Sequence, residues 1–244
     1  MSVLKKFIRE KPAVIPYCSA VIVAAGSSTR MGCDKIMAEL GGETVIERTI
    51  KVFEDAPCIR EIVLVARQDS IAAMAELCKS RGFGKVTKVI CGGATRAQSS
   101  LAGVCEVNPK AKLIAIHDGA RPLVTEAVIE RTALAAAEKR AAAPAVKSAD
   151  TIKLVDDKGM VTSTVDRDKA VLIQTPQIFS SDFIKAALTR AAEKDMVLTD
   201  DCAAAEAIGM NVFTVEGDAE NIKLTTPLDM LVAEKILADR GEKR

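Results

Sequence analysis

Two cations and a run of small residues crowd the segment Val23 to Lys35, VAAGSSTRMGCDK. An apolar stretch, Ala20 to Ala24, feeds into it. Ala24, Ala25, Gly26, Ser27 and Ser28 are small enough for backbone N–H groups to approach a phosphate closely. Arg30 offers a planar set of donors and Lys35 a mobile point charge. The chemistry implied is phosphate binding, but not by either common loop. Gly26 and Gly32 have the wrong spacing for a P-loop, Cys33 rather than lysine follows Gly32, and GxGxxG is missing. The same letters also fit a plain strand-to-loop turn with solvated charges.

Two further stretches carry similar signals. In CGGATRAQSSLAGV (91–104), Gly92-Gly93 ends a strand, Thr95 starts a helix, and Ser99 lies one turn in. That suits recognition of a base or ribose by backbone groups and a hydroxyl; it also suits an ordinary glycine turn. In IHDGARP (116–122), Asp118 closes an apolar strand, with Gly119 behind it and Arg121 at short range. A carboxylate there could meet Mg²⁺ or a substrate hydroxyl, or form a structural pair with the arginine. His117 lies on the strand itself and reads as buried and hydrogen-bonded rather than catalytic. TVDR (164–167), QTPQIF (174–179), TDD (199–201) and NIKLTT (221–226) are individually weak. Arg167 fits a surface ion pair as well as a ligand, and Lys223 a solvated residue.

These residues need elements to hold them. Apolar runs at 19–25, 61–66, 85–90, 112–117 and 143–148 read as strands. They alternate with helices opened by the capping box Thr44-Val-Ile-Glu47, by Asp69, by Thr95 and by Thr125. Such alternation predicts a Rossmann-like, doubly wound, mostly parallel sheet covered on both faces. Ligands bind such sheets outside the carboxyl ends of the strands, where the Gly26, Gly92-Gly93 and Asp118 loops all fall. TIKLVDDKGMVTSTV (151–165) then alternates with period two around Asp156-Asp157-Lys158-Gly159, which predicts an inserted β-hairpin arm over about 148–168. Helices from about Ser181 and Asp200, the strand NVFTVE (211–216) and a helix from Pro227 capped by Thr226 complete one domain, 18–240. Residues 1–17 read as a short extension.

Composition narrows the partners. The 244 residues carry a formal net charge of +1, against bulk attraction to nucleic acid or a membrane surface. No run reaches the ~18 apolar residues of a membrane span. With 7 cysteines, 1 histidine and no CxxC, neither a disulfide framework nor a usual zinc site is indicated, and a reducing cytoplasm is expected. Aromatics are 3% against 49% hydrophobic residues, so the core must be aliphatic.

Taken together, AAGSSTRMGCDK, GGATRAQSS, HDGARP, DTIK, TVDR, QTPQIF, TDDCAAAEAIG and VEGDAENIKLTTPLDM resemble the 2-C-methyl-D-erythritol 4-phosphate cytidylyltransferase family from about Ala20 to Leu231. The resemblance implies transfer of CMP from CTP to a polyol phosphate with Mg²⁺, in a homodimer that exchanges the arm. It implies that Ala24 to Ser28 hold CTP phosphates and that Arg30 and Lys35 stabilise the transition state. Gly92, Gly93, Ser99 and Gly119 would bind the nucleotide. Asp118 would lie near substrate and metal, Arg167 and Lys223 would position the acceptor, and Thr151, Thr175 and Thr199 would supply hydroxyls. Asp150, Thr151 and Arg167 would act on the partner's site. Three positions depart from the family's pattern: Asp34 stands for a proline, Ala94 for an acidic residue and Gly119 for an alanine. Ribitol 5-phosphate is the rival acceptor, and a nucleotide-binding protein without turnover is the rival of another class.

Overall fold

The computed structural model describes residues 15–26 and 35–241. Ser27, Ser28, Arg30 and Asp34 lie outside the described residues, as does the expected N-terminal extension up to residue 14.

The apolar runs form strands β1 (Cys18–Val23), β4 (Ile59–Ala66), β5 (Val86–Cys91) and β6 (Leu113–Asp118), paired in parallel in the order β6-β1-β4-β5. β2 (Glu39–Leu40) and β3 (Glu43–Thr44) make a small hairpin that leads into helix α1 (Val45–Asp55). Alternation along the strands splits the core. Ala20, Ile22, Ile62, Leu64 and Ala115 face one side, against Ile46, Ile50 and Phe53 of α1. Met74 of α2 (Ile71–Arg81) and Val128 and Ile129 of α4 (Glu126–Lys139) lie on that side too. Val21, Val63, Val65, Ile114 and Ile116 face the other. There they meet Val104 of α3 (Arg96–Glu106), Ile184 and Leu188 of α5 (Ser181–Glu193) and Ala204 of α6 (Asp201–Ala207). Burial on both faces explains why β1, β4 and β6 read as continuous apolar runs, whereas the edge strand β5 keeps Thr87 and Lys88 exposed.

Capping sets the helix starts. Thr44 Oγ1 accepts from the Glu47 N–H and Glu47 accepts from the Thr44 N–H, the reciprocal box read from the sequence. Thr95 and Gln98 form another at α3. Thr226 and Asp229 form a third at α7 (Pro227–Asp239). Asp69 is the exception. Its carboxylate pairs with Arg67 at 3.0 Å, so α2 starts one residue later, after Ser70, without a side-chain cap.

The other half of the sheet departs from simple winding. β7 (Ala141–Lys147) pairs in parallel with β12 (Phe213–Glu216), while β10 (Val171–Ile173) and β11 (Gln177–Ser180) run antiparallel. β11 is wedged between β6 and β7, within the segment that first reads only as the motif QTPQIF. The expected arm is present: β8 (Lys153–Val155) pairs antiparallel with β9 (Val161–Thr164), and Gly159 in the turn takes a φ of +81° that favours glycine. Among the described residues no helix is long and apolar enough to cross a membrane.

Candidate active site

A cavity of about 350 Å³ opens at the carboxyl ends of β1, β5 and β6. Ala24, Ala25, Gly26 and Lys35 line it from one loop, Gly93 to Arg96 and Ser99 from a second, and Asp118, Ala120 and Lys223 from the far side. Backbone bonds hold the three loops to their strands. Ala24 N–H donates to Val65 O at 2.7 Å, Gly92 N–H to Ala66 O at 2.8 Å, and Gly119 N–H to Val23 O at 2.9 Å.

Close approach decides Gly92 and crowds Gly119. A Cβ on Gly92 would sit 2.7 Å from Ser99 Oγ and collide with Ala25 Cβ, so glycine lets the second loop press against the first. Gly119 is buried under Ala24, and a Cβ there would lie 3.1 Å from Ala24 Cβ. Ser99 is buried, and its hydroxyl accepts from Gly93 N–H at 3.1 Å and donates to Thr95 O at 2.9 Å. In this conformation it braces the double-glycine turn.

Asp118 is the electrostatic centre. Arg96 Nε lies 3.1 Å from its Oδ1, Lys223 Nζ 2.9 Å from its Oδ2 and Arg121 Nε 3.6 Å from the same oxygen. Burial pushes its carboxyl pKa up, but Arg96, then Lys223 and Arg121, outweigh that and hold it well below the ordinary carboxylate range. Arg96 also reaches Asp201, Nη1 to Oδ2 at 2.8 Å. Three cations thus face two carboxylates, an excess of one positive charge before Lys35 is counted. That balance suits an anionic ligand.

A buried polar chain stands behind Asp118. Its N–H donates to Thr175 Oγ1 at 3.1 Å, and Thr175 Oγ1 lies 3.0 Å from His117 Nδ1. His117 Nε2 lies 3.2 Å from the Arg121 carbonyl, which can only accept, so the ring carries its proton on Nε2 and Thr175 donates to Nδ1. Burial drives the His117 pKa down to about 3, so the ring is neutral; it is buried and hydrogen-bonded, as the sequence reading expected. Thr175 is likewise buried and engaged. Lys223 sits on a fastened segment: Arg121 Nη1 donates to Asn221 O at 2.7 Å, Gln174 Nε2 to Asp218 O at 2.7 Å, and Leu224 N–H to Ala120 O at 2.8 Å.

The remaining sequence candidates lie apart from the lining of this cavity. Asp150, Thr151 and Arg167 are exposed at the base of the arm, where Arg167 donates to Thr151 Oγ1 at 3.2 Å. Thr199 is exposed just before α6. Sequence reasoning singled out neither Arg96 nor Asp201. A signal existed: a cation in the first turn of a helix opposes the helix dipole, and it needs an anionic partner to offset that.

The residues fit a resident metal poorly. Both Asp118 oxygens face cations, and among the described residues no group of three His, Cys, Asp or Glu could hold an ion.

A doubly wound α/β sheet with small-residue loops and a cationic pocket at its carboxyl edge defines a protein built to bind a phosphorylated ligand. The chain matches the family described as IspD, 2-C-methyl-D-erythritol 4-phosphate cytidylyltransferase, over residues 18–239. A 2-C-methyl-D-erythritol 4-phosphate cytidylyltransferase of Alkaliphilus oremlandii is 40% identical over 229 residues, 93% of this chain and 97% of that protein. One of Desulforamulus reducens is 42% identical over 225 residues, 91% of this chain and 96% of the relative. The crystal structure of 4-diphosphocytidyl-2C-methyl-D-erythritol synthase from Anaerococcus prevotii superposes with a TM-score of 0.82 at 32% identity, covering 91% of this chain and 96% of that one. The chain belongs to the 2-C-methyl-D-erythritol 4-phosphate cytidylyltransferase family.

Proposed function

We propose that this protein transfers CMP from CTP to 2-C-methyl-D-erythritol 4-phosphate and releases pyrophosphate, in isoprenoid precursor synthesis. The observation that carries the reading is the pocket itself: lined by the small residues Ala24, Ala25 and Gly26 on one side and cationic around Asp118. The acceptor phosphate attacks the α-phosphorus of CTP. A phosphate monoester has a second pKa of about 6, so this nucleophile is already ionised at neutral pH and needs no general base. A neutral, buried His117 is compatible with that economy.

Catalysis then consists of holding two anions together and neutralising the charge that develops. Ala24 to Ser28 cradle the triphosphate, and Arg30 and Lys35 meet the charge on the reacting phosphorus. Gly92, Gly93 and Ser99 shape the nucleotide end, and Lys223 receives the acceptor phosphate together with Arg167 from a second subunit. A divalent cation, Mg²⁺ in the expected case, arrives on the CTP phosphates as part of the substrate, since such ions often keep water and phosphate ligands. The working form is a homodimer joined through the arm, in a reducing cytoplasm; the described cysteines are all free.

Pyrophosphate release measured with CTP and a panel of acceptors tests the reading. Turnover with 2-C-methyl-D-erythritol 4-phosphate well above ribitol 5-phosphate is expected. A preference for ribitol 5-phosphate would overturn the acceptor, and no release with any acceptor would overturn the activity.

A further inference from the structure

Arg96 opens α3, where a cation faces the positive end of the helix dipole. Two carboxylates offset this, Asp118 at 3.1 Å from Nε and Asp201 at 2.8 Å from Nη1. Asp201 is the first residue of α6 and only 1% exposed. The Arg96 ion pair is the charge that compensates it, and the Ser100 hydroxyl assists. A buried carboxylate stripped of its cation is strongly unfavourable.

Asp201 is itself held in place. Gln177 Oε1 accepts from the N–H groups of Asp201 and Cys202, both at 3.0 Å, and Gln177 Nε2 donates to Asp200 Oδ2 at 2.9 Å. β11 therefore fastens α6, α6 fixes Arg96, Arg96 fixes Asp118, and Asp118 meets Lys223 at 2.9 Å. The QTPQIF and TDD motifs, individually weak in the sequence, are joined by this chain of contacts. Charge alone does not require Asp201, because Arg121 and Lys223 already neutralise Asp118. What Asp201 adds is direction. Arg96 Nη2 is buried without a partner, so the two carboxylates, and not a full set of acceptors, set the plane of the guanidinium.

We propose that Asp201 is a positioning residue for cytidylyl transfer: it anchors Arg96 so that Arg96 fixes Asp118 and Lys223 at the pocket wall and stays off the nucleotide phosphates. This rests on the function proposed above.

A double-mutant cycle on kcat tests it, with Asp201→Asn, Arg96→Lys and the pair together. A lysine keeps the charge but its single ammonium does not reproduce the two-sided guanidinium. Each single change is expected to lower kcat by about 10- to 100-fold, the scale of a misplaced group at a reacting centre. The double variant should fall at most about threefold below the worse single, because both changes break one connection. The KM for CTP should stay level or drop in Asp201→Asn, where Arg96 is released toward the phosphates. Additive losses, a wild-type kcat in either single variant, or an effect confined to a raised KM for CTP would each overturn the proposal. If Asp201→Asn does not fold, Asp201→Glu takes its place in the cycle: a lowered kcat at an unchanged melting temperature, not additive with Arg96→Lys, supports the positioning role, and an unchanged kcat ends it. Wild-type protein in the same assay separates the two readings. A turning-over wild type matched by its variants refutes the positioning alone, whereas an inert wild type refutes both.

Discussion

Lys35 and Lys223 line the same cavity from opposite sides, and the reaction asks different things of them. Lys223 already has an anion, Asp118, and is suited to hold a bound acceptor phosphate in turn. Lys35 stands beside the Ala24–Gly26 loop, where charge would develop on the reacting phosphorus. Lys35→Ala should therefore lower kcat by about 10²-fold or more, the scale of losing one transition-state donor. Steady-state pyrophosphate release checks this, and near-wild-type turnover would remove Lys35 from the chemistry. His117 makes a different prediction, about stability. Its folded pKa, about 3, lies below the ordinary histidine value of 6.5, so the unfolded chain binds more protons between those limits. Stability is complete above pH 6.5 and is lost as the pH falls. From pH 6.5 to 5.5 the loss should be roughly 1 kcal/mol. Asp118 is depressed and adds its own loss only below the usual carboxylate range; Asp201 is raised, so its term has the opposite sign, starting from that range. Urea unfolding of the wild type and of His117→Gln at the two pH values isolates the histidine contribution, and an equal pH dependence in both would mean that the ring is protonated in the fold.

At the level of elements, α3 carries both a loop of the pocket and Arg96, so its distance from the sheet matters. Gly103 sets that distance. A Cβ there would sit 2.8 Å from Val65 Cγ2 and collide with Val21 Cγ1. Gly103→Ala would gain about 1 kcal/mol in helix propensity. Overpacking a filled core costs about 1–3 kcal/mol, and contact with two β-branched strand residues belongs at the upper end. A net loss of about 1–2 kcal/mol is expected by urea unfolding; a stabilised variant would show that α3 has room to lift. The helices and parallel strands were legible because each rests on a local rule: a capping residue, an apolar run or a glycine at a close approach. Asp69 misled because a nearby arginine took its carboxylate, a choice no cap rule contains. β11 was hidden for another reason. At four residues it is too short for a clear period, and its pairing with β6 and β7 is entirely long-range. The site divides the same way. Its loops announced themselves through glycines and small residues, whereas Arg96 and Asp201 meet only after α3 and α6 pack on one face of the sheet.

For the whole molecule, the arm is the part that stands apart from the main sheet. β8 and β9 form an isolated pair, and an isolated two-stranded hairpin is marginally stable in water. Leu154, Val155, Met160 and Val161 on this pair are more than half exposed, at 54%, 58%, 65% and 55%. Arg167 and Thr151 stand at its base, outside the lining of the cavity formed in their own chain. A second copy of the chain would cover these apolar side chains and accept Arg167 at its own pocket, which is the dimer proposed above. This arrangement makes a quantitative prediction about mixed subunits. Lys35→Ala damages the pocket of its own chain. Arg167→Ala damages the pocket of its partner, chiefly by raising the KM for the acceptor. In a dimer of one subunit of each kind, both defects fall on a single site and the other site is intact. Random reassortment of equal amounts gives mixed dimers in half of the population, each with one working site of two. The mixture should recover about a quarter of wild-type activity at low acceptor concentration, although each variant alone has far less. Activity that stays at the average of the two separate variants would place Arg167 on the site of its own chain.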